Sequence, residues 1–149
     1  MQPTTPVEMT AEERDDFLGN GGTGVLSFST GPEESPHAIP VSYGYDAAET
    51  TFYFRLATGS HSRKGPISNR PVSFVVYGRD EELWRSVVAR GHLESTTEEP
   101  IATRTLQGLD RVHIPLFDVF EDHPRTVPFE FCRLVPAELT GRREDSTED

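Results

Sequence analysis

The chain has 149 residues, a length that fits one domain with a core of its own. Twenty-five acidic residues outweigh 14 basic ones for a net charge of −11, which sets the surface against phosphate backbones and anionic lipids and argues against nucleic-acid and membrane partners. The single cysteine, Cys132, precludes an internal disulfide and fits a reducing cytoplasm; no apolar run approaches the ~20 residues of a membrane helix, and no basic-then-apolar leader opens the sequence.

Residues 1–8 carry two prolines and no periodicity, and read as a loose tail. Thr10-Ala-Glu-Glu13 is a capping-box pattern that predicts a short helix to about Leu18, stopped by the glycines of Gly19-Asn-Gly-Gly22. Strands are predicted over 24–30, over 37–45 and over 50–57. Pro40 interrupts the second and must sit at an edge or a bulge; the third alternates Phe52 and Phe54 with Tyr53 and Arg55. Residues 58–69 form a polar loop, with a short helix possible from Pro66. Further strands are expected over 72–78, 83–94 and 128–134, with short helices over 97–109 and 116–121. The charged segment after Gly141, residues 142–149, reads as a disordered tail. Short strands joined by hairpins point to a mainly β barrel or sandwich with small helices packed on it.

Three segments could carry chemistry. Thr58-Gly-Ser-His-Ser-Arg-Lys64 directly follows a strand and contains the chain's only lysine. Its hydroxyls, adjacent cations and small residues could hold one phosphate; equally, it could be a solvated basic turn. In Trp84-Arg-Ser-Val-Val-Ala-Arg-Gly91, Ser86 shares a face with Trp84 and Val88, where its hydroxyl needs a partner from a ligand or a neighbouring backbone group; Gly91 marks a bulge or a close backbone approach. Ile39-Pro-Val-Ser-Tyr-Gly-Tyr45 reads as an edge strand whose backbone could lie along a planar heterocycle. The histidines (37, 61, 92, 113 and 123) have no helical metal spacing, no Cys-x-x-Cys exists, and Cys132 reads as a core thiol. The acid-rich, lysine-poor composition resembles that of halophilic proteins, where concentrated salt screens self-repulsion.

In order and spacing these segments resemble the FMN-binding split barrel of the pyridoxamine 5′-phosphate oxidase-like superfamily. Ser62-Arg63-Lys64 and the following Ile67-Ser-Asn-Arg-Pro-Val-Ser-Phe74 are similar to that family's Ser-Arg-Lys loop and the strand after it. The resemblance implies one domain over 1–149, a six-stranded antiparallel split β-barrel with peripheral helices, and a homodimer with FMN at its interface acting on a small-molecule substrate. It also implies roles. Arg63 and Lys64, helped by Ser62, would hold the FMN phosphate. Arg55, Leu56, Ala57 and Thr58 would line the ribityl chain and the pyrimidine edge. Pro40, Val41 and Ser42 would lie along the ring through their backbone. Trp84 and Ser86 belong to the strand that approaches the flavin, Ser86 standing where true oxidases carry Gln. Those oxidases are longer and grip a substrate phosphate with a C-terminal Arg and His. The sequence here ends Thr140-Gly-Arg-Arg-Glu-Asp-Ser-Thr-Glu-Asp149, without His, and looks closer to short nitroimidazole-resistance-like and haloarchaeal members. The expectation is an FMN-dependent oxidoreductase with no protein acid or base identified. The alternatives are a non-catalytic flavin or haem module, with His61 or His92 as axial ligand, and a reductase using the deazaflavin F420.

Overall fold

The computed structural model describes residues 4–29, 31–57, 70–95, 112 and 129–146. Eight strands and one helix follow in chain order: β1 Thr4–Glu8, α1 Ala11–Leu18, β2 Gly21–Phe28, β3 His37–Asp46, β4 Thr51–Ala57, β5 Pro71–Asp80, β6 Leu83–Ser95, β7 Phe129–Leu134 and β8 Glu138–Ser146. The sheet order is β1-β8-β6-β5-β2-β3-β4-β7, and β7 also pairs with β6. That last pairing closes β6-β5-β2-β3-β4-β7 into a six-stranded antiparallel barrel, with β8 and β1 added outside it.

The barrel closes because β6 changes neighbour along its length. Arg85 to Arg90 pair with β8, and Leu93 to Ser95 pair with β7. Gly91 sits at the changeover. A Cβ there would come within 3.0 Å of Leu134 Cδ1 and 3.1 Å of the Val135 carbonyl, so the close approach expected at this glycine is real.

Alternating residues fill the interior. Phe52 and Phe54 of β4, Tyr43 and Tyr45 of β3, Val87 and Ala89 of β6, and Cys132 and Leu134 of β7 all join one buried cluster. Phe74 of β5 lies at its centre, edge-on to Tyr43, Phe52 and Phe54 at centroid distances of 5.4, 5.3 and 4.8 Å. Its ring also fills the space over Gly24, where a Cβ would meet it at 2.7 Å.

Helix α1 begins as expected. The Glu13 amide donates to the Thr10 hydroxyl and the Thr10 amide to the Glu13 carboxylate, both at 3.1 Å. The bond from the Thr10 amide stabilises the ionised Glu13 and, with the charge of Arg143, holds its pKa below the ordinary carboxylate value. Only Leu18 of the helix is buried, so an apolar stripe contributes little to its docking. Hydrogen bonds from the barrel do more: the Tyr43 hydroxyl donates to the Leu18 carbonyl (2.9 Å) and the Tyr45 hydroxyl to Asp15 (2.7 Å).

Both tails expected to be loose are strands over their described parts. β1 pairs with β8 from Thr4↔Ser146 to Glu8↔Arg142. Opposite charge across a long sequence separation accounts for the order. Arg143 of β8 meets Glu13 at 2.8 Å, and the Trp84 amide donates to the Glu144 carboxylate at 2.8 Å. β2 also starts earlier than expected, at Gly21, because Gly21 to Gly24 pair with Gly44 to Val41. The β5–β6 hairpin turns on Glu81 and Glu82, both at positive φ (53° and 71°), a conformation that suits Asn-Gly better. The helices expected over 97–109 and 116–121 and the loop over 58–69 lie outside the described residues.

The outer face of β4 and β7 is also buried in places. Tyr53 is 2% exposed and lies opposite Arg133, which pairs with Glu94 at 2.8 Å. Removing a buried cation strands its partner charge, and Glu94 keeps enough solvent contact to soften that cost. Arg133→Ala is therefore expected to lower stability by about 2 kcal/mol, and Glu94→Gln by less than about 1 kcal/mol. Urea titration of the two variants checks the difference.

Candidate cofactor site

The barrel wall opens between β3 and β4. Their ladder runs from Asp46↔Thr51 to Tyr43↔Phe54 and has no further pair among the described residues. Both strands continue beyond that point on other partners. β3 pairs with β2 as far as His37↔Phe28, and β4 pairs with β7 as far as Ala57↔Phe129. The two stretches that part are Pro40–Ser42 and Arg55–Ala57. Pro40 has no N–H for a ladder, and it lies where β3 has one ladder neighbour, as an edge proline should.

Side chains at the opening divide by the strand alternation. Pro40 is exposed. Val41 points into the core cluster, so it can present only its backbone to the opening. Ser42 is buried at 8% exposure on the opposite face. Arg55 is half-buried and opposes Phe131, itself 38% exposed. Leu56 and Ala57 extend the β4 edge through pairs with Glu130 and Phe129. Beyond Ala57 the chain enters 58–69, so Thr58, His61, Ser62, Arg63 and Lys64 lie outside the described residues; the strand that leads to them ends at the opening.

Trp84 and Ser86 lie elsewhere. They are on the outer face of β6, separated from β3 by β2 and β5 and from β4 by β7, which meets β6 only at Leu93–Ser95, the far end of the strand from Trp84. The three strand spacings to β3 amount to ~14 Å. Within one chain, Ser86 is not brought to the opening.

Ser86 instead lines a groove of about 260 Å³ on the outer face of β6 and β8, with Val88, Arg90, Glu138, Thr140 and Arg142. The six residues are three directly opposed cross-strand pairs: Ser86↔Arg142, Val88↔Thr140 and Arg90↔Glu138. Arg90 and Glu138 approach to 3.7 Å in solvent. Arg142 has no ion pair, and the Ser86 and Thr140 side chains have no hydrogen bond, among the described residues. A second groove of about 430 Å³ lies on the other side of Arg90, where Ser27, Ser73 and His92 line it near Pro71. In the sequence Thr140 falls in no predicted element and Arg142 in a disordered tail, so neither is singled out there. The available signal was the alternation of Glu138, Thr140 and Arg142 against Leu139, Gly141 and Arg143. No group of three metal-ligating side chains occurs among the described residues.

A closed six-stranded antiparallel barrel whose wall parts beside a β4 edge is a split barrel. The pyridoxamine 5′-phosphate oxidase family model matches residues 10–143, and the chain belongs to that family. No curated protein matches the sequence. Among solved structures, the fold is similar to the FAD-binding protein of Mycobacterium smegmatis (22% identity, 92% of this chain and 97% of that one covered, TM-score 0.68). It is similar also to an FAD-binding protein of Mesorhizobium loti (18% identity, 96% and 99% covered, TM-score 0.63). A haem-binding protein of Mycobacterium smegmatis shares the fold as well (20% identity, 95% and 59% covered, TM-score 0.60). No helix among the described residues is long and apolar enough to cross a membrane.

Proposed function

We propose that this chain is a flavoprotein that holds FMN at the opening between β3 and β4 and serves as an FMN-dependent oxidoreductase. The observation that carries the reading is the coincidence of the opening with Pro40–Ser42 and Arg55–Ala57, the two stretches assigned to the flavin ring and its side chain. Backbone groups along a parted ladder can meet a flat heterocycle, and β4 leads straight into the segment that carries Arg63 and Lys64. The FAD-binding descriptions of two similar structures agree with a flavin.

In this reading Arg63 and Lys64 hold the phosphate, and Ser62 adds a hydroxyl. The edges of β3 and β4 orient the ring, and the buried aromatics behind them keep water from the barrel side. When bound, the flavin supplies the redox chemistry. Ser86 and Trp84 lie on the outer face of β6, away from the opening of their own copy, and reach the ring from a second copy of the chain. A homodimer that faces outer sheet surfaces together satisfies this.

The test is the absorption spectrum of the purified protein. The expected result is the two-banded flavin spectrum; a Soret band would indicate haem, and a single deazaflavin band F420. A protein that takes up none of these cofactors sinks the reading. Lys64→Ala is expected to weaken FMN binding by about 10- to 150-fold, the equivalent of ~1.5–3 kcal/mol for a charge-assisted contact. Equilibrium titration of apoprotein with FMN measures it.

A further inference from the structure

Helix α1 lays a base beside a buried phenol. Tyr45 is 1% exposed, and its hydroxyl donates to Asp15 Oδ1 at 2.7 Å. Arg14 donates to the same oxygen through Nε and Nη2 at 3.2 and 3.1 Å, which fixes the carboxylate against the phenol. Asp15 keeps 29% of its side chain in contact with solvent. Tyr43, two residues earlier on the same face of β3, is as deeply buried but has a different acceptor. Its hydroxyl donates to the Leu18 carbonyl at 2.9 Å. A carboxylate can take a proton from a phenol that is being oxidised, whereas a peptide carbonyl is too weak a base to keep it.

The rings around Tyr45 are in continuous contact. Its centroid lies 4.8 Å from that of Phe52, and Phe52 stacks on Phe54 at 6.4 Å with 7° between their planes. Phe74 lies edge-on to both, with centroids 5.3 and 4.8 Å away. Phe54 belongs to the last rung of the β3–β4 ladder, so this aromatic row runs unbroken from the wall of the opening to Tyr45. Phenylalanine is much harder to oxidise than tyrosine, so an oxidising equivalent that enters the row comes to rest on a tyrosine. Burial and the Asp15 hydrogen bond push the Tyr45 phenol up to about 12, and at neutral pH it holds its proton. A phenol that loses an electron becomes a strong acid. In an apolar core the electron can leave only where a base within hydrogen-bond reach takes the proton with it.

We propose that Tyr45 and Asp15 form a redox-active pair that gives one electron to a radical oxidant. The electron leaves the Tyr45 ring, and the radical is reduced to its anion. The phenolic O–H bond breaks as a new O–H bond forms on the Asp15 carboxylate. The products are a neutral tyrosyl radical and a neutral carboxylic acid, so the buried ring carries no charge. The hydrogen bond that docks α1 thus also serves as the path of the proton. The pair lies within one chain and uses no residue assigned to the flavin, so a protein without flavin leaves it testable.

Azidyl radical, made by pulse radiolysis of azide in a solution of the full-length protein, supplies the oxidant and becomes azide. It attacks Trp84, the only tryptophan and 47% exposed, and the hole then passes to tyrosine, where phenoxyl absorbance records it. Tyr77 is 62% exposed and 6.1 Å from Trp84, so the parent and every variant carry Tyr77→Phe to remove that competitor. The tyrosyl signal is expected to be lost with Tyr45→Phe and kept with Tyr43→Phe, although each substitution removes one hydrogen bond to α1. Asp15→Asn keeps an acceptor oxygen for Tyr45 but no base, and should slow tyrosyl formation at least about tenfold. The parent should also form the radical more slowly in D2O, because its phenolic proton moves in the same step. A role confined to docking α1 predicts none of these differences. A tyrosyl signal that survives Tyr45→Phe, equal rates for Asp15→Asn and the parent, or oxidised Trp84 with no tyrosyl radical overturns the proposal. Failure here with a normal flavin spectrum leaves the proposed flavin site standing.

Discussion

Phe74→Ala is expected to lower the unfolding free energy by about 3–5 kcal/mol, the largest loss from any single side chain of the barrel. The ring is fully buried and packs edge-on against three other aromatic rings from β3 and β4. It also fills the space over Gly24 on β2. Removing it opens a cavity bordered by rigid rings that cannot collapse into it. A typical domain has only ~5–15 kcal/mol in total, so the variant should unfold at markedly lower urea concentration. Phe74→Leu keeps most of the volume and should cost less than about 1.5–2 kcal/mol. Similar midpoints for the two variants would show that the cluster is loosely packed.

The second large effect comes from alkali. Burial pushes both the Tyr43 and Tyr45 phenols up to about 12 from the usual 10, and for Tyr45 the hydrogen bond to Asp15 and that residue's charge add to the shift. The folded state therefore holds these two protons more tightly than the unfolded chain does. Their contribution is fully present below pH 10 and is lost as pH rises through 12. At ~1.4 kcal/mol per unit, the two phenols together remove about 5 kcal/mol, taken as an order of magnitude. The protein should unfold cooperatively in this interval, with tyrosinate absorbance and loss of far-ultraviolet structure changing together. Tyr43→Phe should blunt the transition and cost about 1 kcal/mol at neutral pH, because the Leu18 carbonyl loses its donor. Tyrosinate appearing well before unfolding would contradict the burial argument.

What the sequence revealed follows the range of the forces involved. The capping box of Thr10 and Glu13 is local, and it formed as read. The alternation in β4 and the β5–β6 hairpin are also short-range signals, and both are present in the structure. Pro40 announced an edge, and the edge lies at the barrel opening. The errors fall where partners are distant in the chain. Nothing near Thr4 shows that it will pair with Ser146, and nothing near Arg143 shows that Glu13 will meet it. The same blindness hid half of the β6–β8 groove. Ser86 reads as a hydroxyl in need of a partner, whereas Thr140 falls in no predicted element and Arg142 in a charged tail until β8 lays them beside it. The phosphate loop could be named only from its residues and its resemblance to a family.

The pairing of β1 with β8 has a practical consequence. Thr4 and Ser146 are opposed across a single ladder, so whatever precedes one and follows the other departs from the same corner of the sheet. Arg143, a few residues back along β8, is the ladder partner of Arg85, which puts Trp84 close to that corner. A purification tag at either end would therefore hang beside Trp84, the chain's one tryptophan and so the fluorescent reporter of the outer face of β6. Cleavage of the tag before titration becomes part of the measurement. For immobilised or fluorescently coupled protein, attachment through the opposite end of the barrel leaves the reporter clear.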